Sequence, residues 1–132
     1  RVSASIHVEI PDFVNIVDAH TAVDELEKKI KDETNVDITI HIDPISTNKE
    51  KVDHVHDQIQ DVLNEINDYY TTHNFRLAET QHKLIVIFDL MVPSDINPHD
   101  YSVIKHQVED KLSENYPNYD VVIDDVYPEE RK

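Results

Sequence analysis

A strand–helix–strand pattern opens this chain and limits the folds open to it. Residues 2–10, VSASIHVEI, alternate strictly between apolar and polar side chains, which is typical of a half-buried β-strand. Residues 36–43 alternate in the same way, and an apolar stripe between them predicts a helix from about Ile16, with Asn15 as its N-cap. Two strands joined by a crossover helix run parallel, with the helix on one face. The pattern therefore predicts a β-α-β unit whose polar strand faces point away from its helix.

A second series of elements follows the short polar linker ISTNKE at residues 45–50. Its order is helix, strand, strand, helix, strand, ending in a charged tail, PEERK. The predicted bounds are 51–70, 74–79, 84–92, 99–115 and 119–126. Three segments recur about 80 residues apart: SIHVEI with IVIFDL, ELEKKI with QVEDKL, and DITIHIDP with DVVIDDVYP. We therefore predict an α+β fold of two tandem αββαβ units, residues 1–46 and 47–132, the first truncated at its N-terminal helix and strand.

Glycine and cysteine are both absent from the 132 residues. Walker loops, Rossmann fingerprints and nucleophile elbows require glycine, and thiolate zinc sites, iron–sulfur clusters and thiol catalysis require cysteine. Ser102 and His106 lie one helical turn apart, but no orienting group or oxyanion loop accompanies them. The sequence therefore does not predict an enzyme.

The charge of the chain favours cations as partners. Its formal net charge is -16, from 28 acidic and 12 basic residues, and it has nine histidines. Such a chain is expected to repel nucleic acid and anionic lipid and to concentrate cations. No apolar run is long enough to span a membrane. Because the sequence starts inside a predicted strand, without methionine, we interpret it as part of a longer protein.

Four side chains of the first unit are candidate metal ligands. His7 and His41 occupy the polar faces of the two strands, and Asp43 follows His41 on the same face. Neighbouring strands lie roughly 5 Å apart, so these side chains can converge. His20, near the start of the helix, could reach the same end of the sheet. Imidazole with carboxylate suits zinc, manganese, iron, cobalt or nickel, whereas the alternative is a set of solvated surface histidines.

The second unit is expected to lack this ligand set. Aligning the repeats, we place Phe88 and Tyr101 opposite His7 and His20, and Asp124 opposite His41. The second unit is therefore expected to serve as structure or interface.

The first 46 residues resemble the cytoplasmic C-terminal domain of cation diffusion facilitator (cation efflux) transporters. The resemblance rests on IHVE in the first strand, AH near the helix start, and IHIDP closing the second strand, in that order. Residues 47–132 resemble, more loosely, an additional C-terminal unit of some bacterial members. The resemblance implies a ferredoxin-like, metallochaperone-like fold, a homodimer, and a chain attached to a transmembrane domain on the cytoplasmic side of the membrane.

The resemblance also implies a role. Members exchange divalent cations for protons, and in several of them the soluble domain binds zinc at the dimer interface. His7, His20, His41 and Asp43 fall on the family's metal positions, while a further family ligand precedes the first strand. The prediction is a regulatory dimerisation domain in a transporter of zinc, manganese, iron or cobalt. The metal expected at its site is zinc, and manganese is the second choice. Two alternatives stay open: a purely structural dimerisation module, and a small-ligand regulatory domain of ferredoxin-like type.

Overall fold

A computed structural model describes residues 2–129 of the chain; the last three residues of the predicted charged tail lie outside this range. Five strands and three helices form an α+β fold, which confirms the predicted fold class. The elements are β1 (Val2–Pro11), α1 (Ile16–Thr34), β2 (Val36–Ile45), α2 (Lys49–Ile66), β3 (Thr71–Glu79), β4 (Leu84–Val92), a 3-10 turn (Pro98–Asp100), α3 (Tyr101–Asn115) and β5 (Tyr119–Pro128). They form two compact units that divide between Thr47 and Asn48.

In the first unit, β1 and β2 are parallel and α1 packs against β2. Helix α1 begins where the side chain of Asn15 accepts the backbone N–H groups of Val17 and Asp18, at 2.8 and 3.3 Å. It ends at Asn35, which takes the left-handed conformation at φ 58°. In a chain without glycine, asparagine is the residue that tolerates this conformation best.

The apolar side of the first unit is only partly covered. Ala19 is the one residue of the predicted α1 stripe that is buried, whereas Leu26 is 43% exposed and Ile6 of β1 is 41% exposed. An apolar groove of about 310 Å³ separates α1 from β1 and is lined by Val8, Ile10, Val14, Asp18, Ala19, Ala22, Val23, Leu26 and Ile42. The main stabilising core therefore lies elsewhere.

That core belongs to the second unit. Strand β4 lies between antiparallel β3 and parallel β5, and α2 and α3 pack against each other. Phe88 at the middle of β4 is fully buried among apolar side chains of both helices. The buried cluster comprises Val55, Ile59, Val62, Leu63, Tyr70, Leu77, Val86, Phe88, Leu90, Val92, Ile104, Val108, Leu112 and Ile123.

The predicted bounds of α2 and β3 were wrong at their junction. The helix ends at Ile66, not at residue 70, and β3 begins at Thr71. The carbonyl and side-chain oxygens of Asn67 accept the backbone N–H groups of Tyr70 and Tyr69, at 3.1 and 2.8 Å. This turn reverses the chain, so Tyr69 is exposed and Tyr70 takes the buried position.

Candidate metal-binding site

His7, His41 and Asp43 lie together on the polar face of the first unit. His7 is the register partner of His41, and their imidazole rings stack with centroids 5.0 Å apart. His7 Nδ1 lies 3.1 Å from Asp43 Oδ2, within hydrogen-bond distance. The His7 side chain is 66% exposed and that of Asp43 is 23% exposed. Two imidazoles and one carboxylate are therefore adjacent and open to solvent.

The β-α-β topology produces this arrangement directly. In a parallel pair, register partners lie side by side, and residues two apart on one strand share a face. Asp43 is the partner of Glu9, two residues along from the histidine pair, so its carboxylate reaches diagonally to His7. The regular strand pairing is therefore sufficient to bring His7, His41 and Asp43 together, and no loop is needed.

A helix carboxylate holds β2 immediately before His41. The backbone N–H of Ile40 donates to Glu27 Oε2 of α1 at 3.0 Å, and Ile40 is 7% exposed. Because adjacent strand residues face opposite sides, an Ile40 buried under the helix leaves His41 on the open face.

Asp12 and Thr47 join the ends of the two strands. Thr47 Oγ1 donates to Asp12 Oδ1 at 2.6 Å, and the Thr47 backbone N–H donates to Asp12 Oδ2 at 3.2 Å. The side-chain hydrogen bond and then the backbone bond from Thr47 lower the pKa of Asp12 below its ordinary 3.8. The two contacts therefore fasten the sheet at the end where Asp43 lies.

His20 is exposed on α1 and does not complete a cluster. Among residues 2–129, no group of three or more His, Asp or Glu side chains is arranged closely enough to hold a metal ion. The structure thus brings His7 to His41 and His7 to Asp43, and leaves His20 outside these contacts. The donor chemistry fits zinc or manganese, but further ligands from water or a second protomer are needed for a full shell.

Two other histidines have definite surroundings in the second unit. His56 Nε2 lies 2.8 Å from Thr72 Oγ1, and its ring packs edge-on against Phe75. His73 lines an open groove of about 820 Å³ together with Asn74, Asp89, Met91, Tyr127 and Pro128. Neither residue was predicted from the sequence to be functional, and neither belongs to a metal-binding cluster among residues 2–129.

The register of the second unit corrects the alignment of the two repeats. Ile6 pairs with Ile40 and Val8 with Ile42, whereas Phe88 pairs with Ile123 and Leu90 with Val126. One residue of β4, Asp89, therefore lies opposite two residues of β5, Asp124 and Asp125.

The equivalent of His7 is therefore Asp89, so the alignment with Phe88 was wrong. Phe88 is fully buried and His7 is exposed, which excludes a shared environment. At the helix, Asn97 caps the 3-10 turn before α3 as Asn15 caps α1, and on this alignment Ser102, not Tyr101, matches His20. The match of Asp124 with His41 holds, with Asp125 as the additional residue.

A protein-family model for the cytoplasmic domain of cation efflux proteins matches the chain over residues 1–45 and 52–124. The chain belongs to this family. The match confirms the resemblance drawn from the IHVE, AH and IHIDP motifs. Each matched segment of this cation efflux domain falls within one of the compact units.

Comparison of the cation efflux domain with curated proteins and with solved structures returned no match. No helix among the described residues has the length and hydropathy needed to cross a membrane. The family is one of dimerisation domains, which implies a homodimer of this chain.

Proposed function

We propose that the chain is the regulatory dimerisation domain of a divalent-cation/proton antiporter and that it binds metal at its dimer interface. The proposed ligands are His7, His41 and Asp43, which lie together, and His20, which lies apart from them on α1; zinc is the first choice of metal and manganese the second. The transported ion would be zinc, manganese, iron or cobalt. The domain would lie on the cytoplasmic side of a bacterial cell membrane, attached to a transmembrane domain.

The observation that carries this proposal is the grouping of His7, His41 and Asp43 on an open sheet face of a cation efflux domain. Solvent-exposed imidazoles with a neighbouring carboxylate are accessible to a metal ion. Because a single chain supplies an incomplete set, a second protomer or water would supply the remaining ligands. A site shared between protomers links metal binding to dimerisation.

Charge gives the metal a physical role. Each protomer carries a formal net charge of -16, so two protomers repel as they approach. A divalent cation, when bound, would offset part of this repulsion at the interface. Metal concentration would then shift the population of the dimer.

Sedimentation velocity of the full chain, in EDTA and across a Zn²⁺ titration, tests the proposal. The wild type is expected to shift toward dimer as zinc is added. The His41→Ala/Asp43→Ala variant is expected to need at least about tenfold more zinc for the same shift, since it loses two ligands.

His82→Ala/Asp95→Ala is the matched control, because both residues are exposed in the second unit and the variant removes the same two functional groups. It is expected to respond as the wild type does. Equal responses from all three proteins would refute the site.

One observation favours a second candidate, a purely structural dimerisation module. The described residues contain no group of three or more His, Asp or Glu side chains that are close enough together to hold a metal ion. This alternative predicts a dimer in EDTA whose sedimentation does not change with Zn²⁺. The described residues offer no comparable support for the third alternative, a small-ligand domain.

A further inference from the structure

Exposed large apolar side chains are concentrated in the first unit. Among residues 2–129, eleven such side chains are exposed, and seven of them lie in this unit. The seven are Val2, Ile6, Phe13, Val14, Ile16, Val17 and Leu26. Phe13 is 76% exposed and Val17 is 68% exposed. Because a concentrated apolar surface on a small unit marks an interaction site, we expect another molecule to cover it.

The turn from β1 into α1 carries the most exposed part of this surface, which we call the apolar tip. The apolar tip consists of Phe13, Ile16 and Val17. With Asn15 aligned to Asn97, the equivalent positions of the second unit hold Asp95, Pro98 and His99, which are also exposed. The fold therefore does not require apolar residues at this turn, and their presence in the first unit needs another reason.

Few charges surround the apolar tip. Residues 11–23 contain two charged side chains, Asp12 and Asp18, whereas the whole chain has 28 acidic and 12 basic residues among 132. The carboxylate of Asp12 accepts two hydrogen bonds from Thr47, and Asp18 lines the apolar groove. Two copies that each carry a net charge of -16 repel least where charged side chains are sparse. The apolar tip thus suits the approach of a second copy.

The apolar tip also lies beside the elements that carry the candidate metal ligands. The contact between Asp12 and Thr47 holds the tip at the end of the sheet where Asp43 lies. Val17 precedes His20 by three residues, so the two share a side of α1. A second copy on the tip would therefore border the dimer interface of the proposed function.

We propose that a second copy of the chain packs on the apolar tip, through the same surface in both copies. The family implies a homodimer, and a two-fold dimer brings identical surfaces together. Phe13 of each copy then packs against the tip of the other, as aromatic side chains do at the centre of interfaces. The proposal rests on the homodimer of the proposed function and names its contact surface. The apolar contact itself needs no metal.

Sedimentation velocity of the full chain over a range of protein concentrations, in EDTA and in excess Zn²⁺, tests this proposal. Phe13→Ser/Val17→Thr removes the apolar surface without adding charge. Its dimer dissociation constant is expected to be at least about tenfold higher than that of the wild type in each buffer in which the wild type dimerises, since central contacts contribute most of the affinity. Because both side chains are exposed, the midpoint of urea unfolding is expected to stay unchanged.

Tyr69→Ser/Val103→Thr is the matched control, because it removes an aromatic and a valine side chain that are 67% and 57% exposed in the second unit. Its dissociation constant is expected to equal that of the wild type. Phe13→Asp/Val17→His gives the tip the residues found at the equivalent turn of the second unit. This variant is expected to weaken the dimer at least as much as the serine and threonine variant does.

NMR of the ¹⁵N-labelled full chain locates the contact. The amide signals of Phe13, Ile16 and Val17 are expected to shift as the protein concentration rises, while those of Tyr69 and Val103 stay in place. Tip signals that respond to phosphatidylcholine vesicles but not to protein concentration would indicate a lipid surface and would overturn the proposal.

Equal dissociation constants for the tip variant and the wild type would also overturn it, as would a wild type that is monomeric in both buffers. Failure of the metal site gives a different result. A wild type that dimerises in EDTA, is weakened by the tip variant and does not respond to Zn²⁺ would support the tip while refuting the metal site.

Discussion

The imidazoles of His7 and His41 stack across the parallel pair of β1 and β2, with ring centroids 5.0 Å apart and an angle of 29° between their planes. The stack has two possible uses. It either packs one ring on another, as any aromatic pair does, or presents nitrogen donors to an ion. A substitution that keeps the ring and removes the nitrogens separates the two.

His41→Phe is expected to leave the free energy of unfolding in EDTA within about 1 kcal/mol of the wild type, because an aromatic ring still stacks on His7. The wild type is expected to melt at a higher temperature when Zn²⁺ is added, because bound metal stabilises the folded state. This rise is expected to disappear in His41→Phe, since the imidazole nitrogens of His41 are lost. Thermal unfolding with and without Zn²⁺ measures both. His82→Phe, in an exposed turn, is the control and is expected to keep the metal response. A metal response that survives in His41→Phe would show that His41 is not a ligand.

Glu27→Ala is expected to loosen β2 beside His41. The change leaves the backbone N–H of Ile40 without its carboxylate acceptor, and a hydrogen bond to a charged group contributes about 1.5–3 kcal/mol. Faster hydrogen exchange at the Ile40 amide is the specific readout. Glu25→Ala, an exposed position on the same helix, is expected to leave that exchange rate unchanged. Equal rates in the two variants would contradict a role for Glu27 in holding the strand.

The contact between Asp12 and Thr47 is expected to make the first unit sensitive to acid. A carboxyl whose folded pKa lies below its unfolded value stabilises the fold above pH 3.8, and that contribution is lost as the pH falls through the lower folded value. Thr47→Val removes the side-chain hydrogen bond that is the main cause of the shift. The Asp12 pKa, followed by ¹³C NMR of its carboxyl group, is therefore expected to rise toward 3.8.

Thr71→Val is the matched control for this titration, since it makes the same substitution at an exposed strand position of the second unit. The Asp12 titration is expected to be unchanged in it. An Asp12 pKa that is the same in Thr47→Val and in the wild type would show that the contact does not form in solution.

Leucine-to-alanine substitutions are expected to differ sharply between the two units. Leu112 is fully buried in the core of the second unit, so Leu112→Ala should cost about 2–5 kcal/mol of unfolding free energy. Leu26 is 43% exposed on α1, and Leu26→Ala should cost less than about 1 kcal/mol. Urea unfolding of both variants measures the difference. Similar costs would mean that the apolar stripe of α1 is buried in solution.

Local pattern was sufficient to predict most of the fold. The alternation of β1 and β2 gave their faces, and Asn15 marked the start of α1, because each signal depends on residues close in sequence. The end of α2 was missed because Tyr69 continues the helical spacing, while the turn at Asn67 interrupts the helix. The spacing of apolar residues does not show that the side chain of Asn67 accepts a hydrogen bond from the backbone N–H of Tyr69 and so ends the helix.

The candidate site was predictable in part for the same reason. His7, His41 and Asp43 come together because a parallel register follows from the β-α-β order. The distance from His20 depends on how α1 lies over the sheet, which spacing does not encode. The contact between Arg76 and Asp124 was not predicted, because the two residues are remote in sequence. The bulges that orient them also leave no clear mark in the sequence.

The bulge in β5 has a consequence for how tandem copies diverge. One extra residue opposite Asp89 would shift every later side chain to the wrong face if the strand stayed regular. Instead, the bulge absorbs the insertion locally, and Val126 again pairs with Leu90 and Pro128 with Val92. A single-codon insertion can therefore remodel one polar position while the apolar residues on either side keep their places. Two related units can therefore differ at one polar position of a strand while their buried cores stay the same.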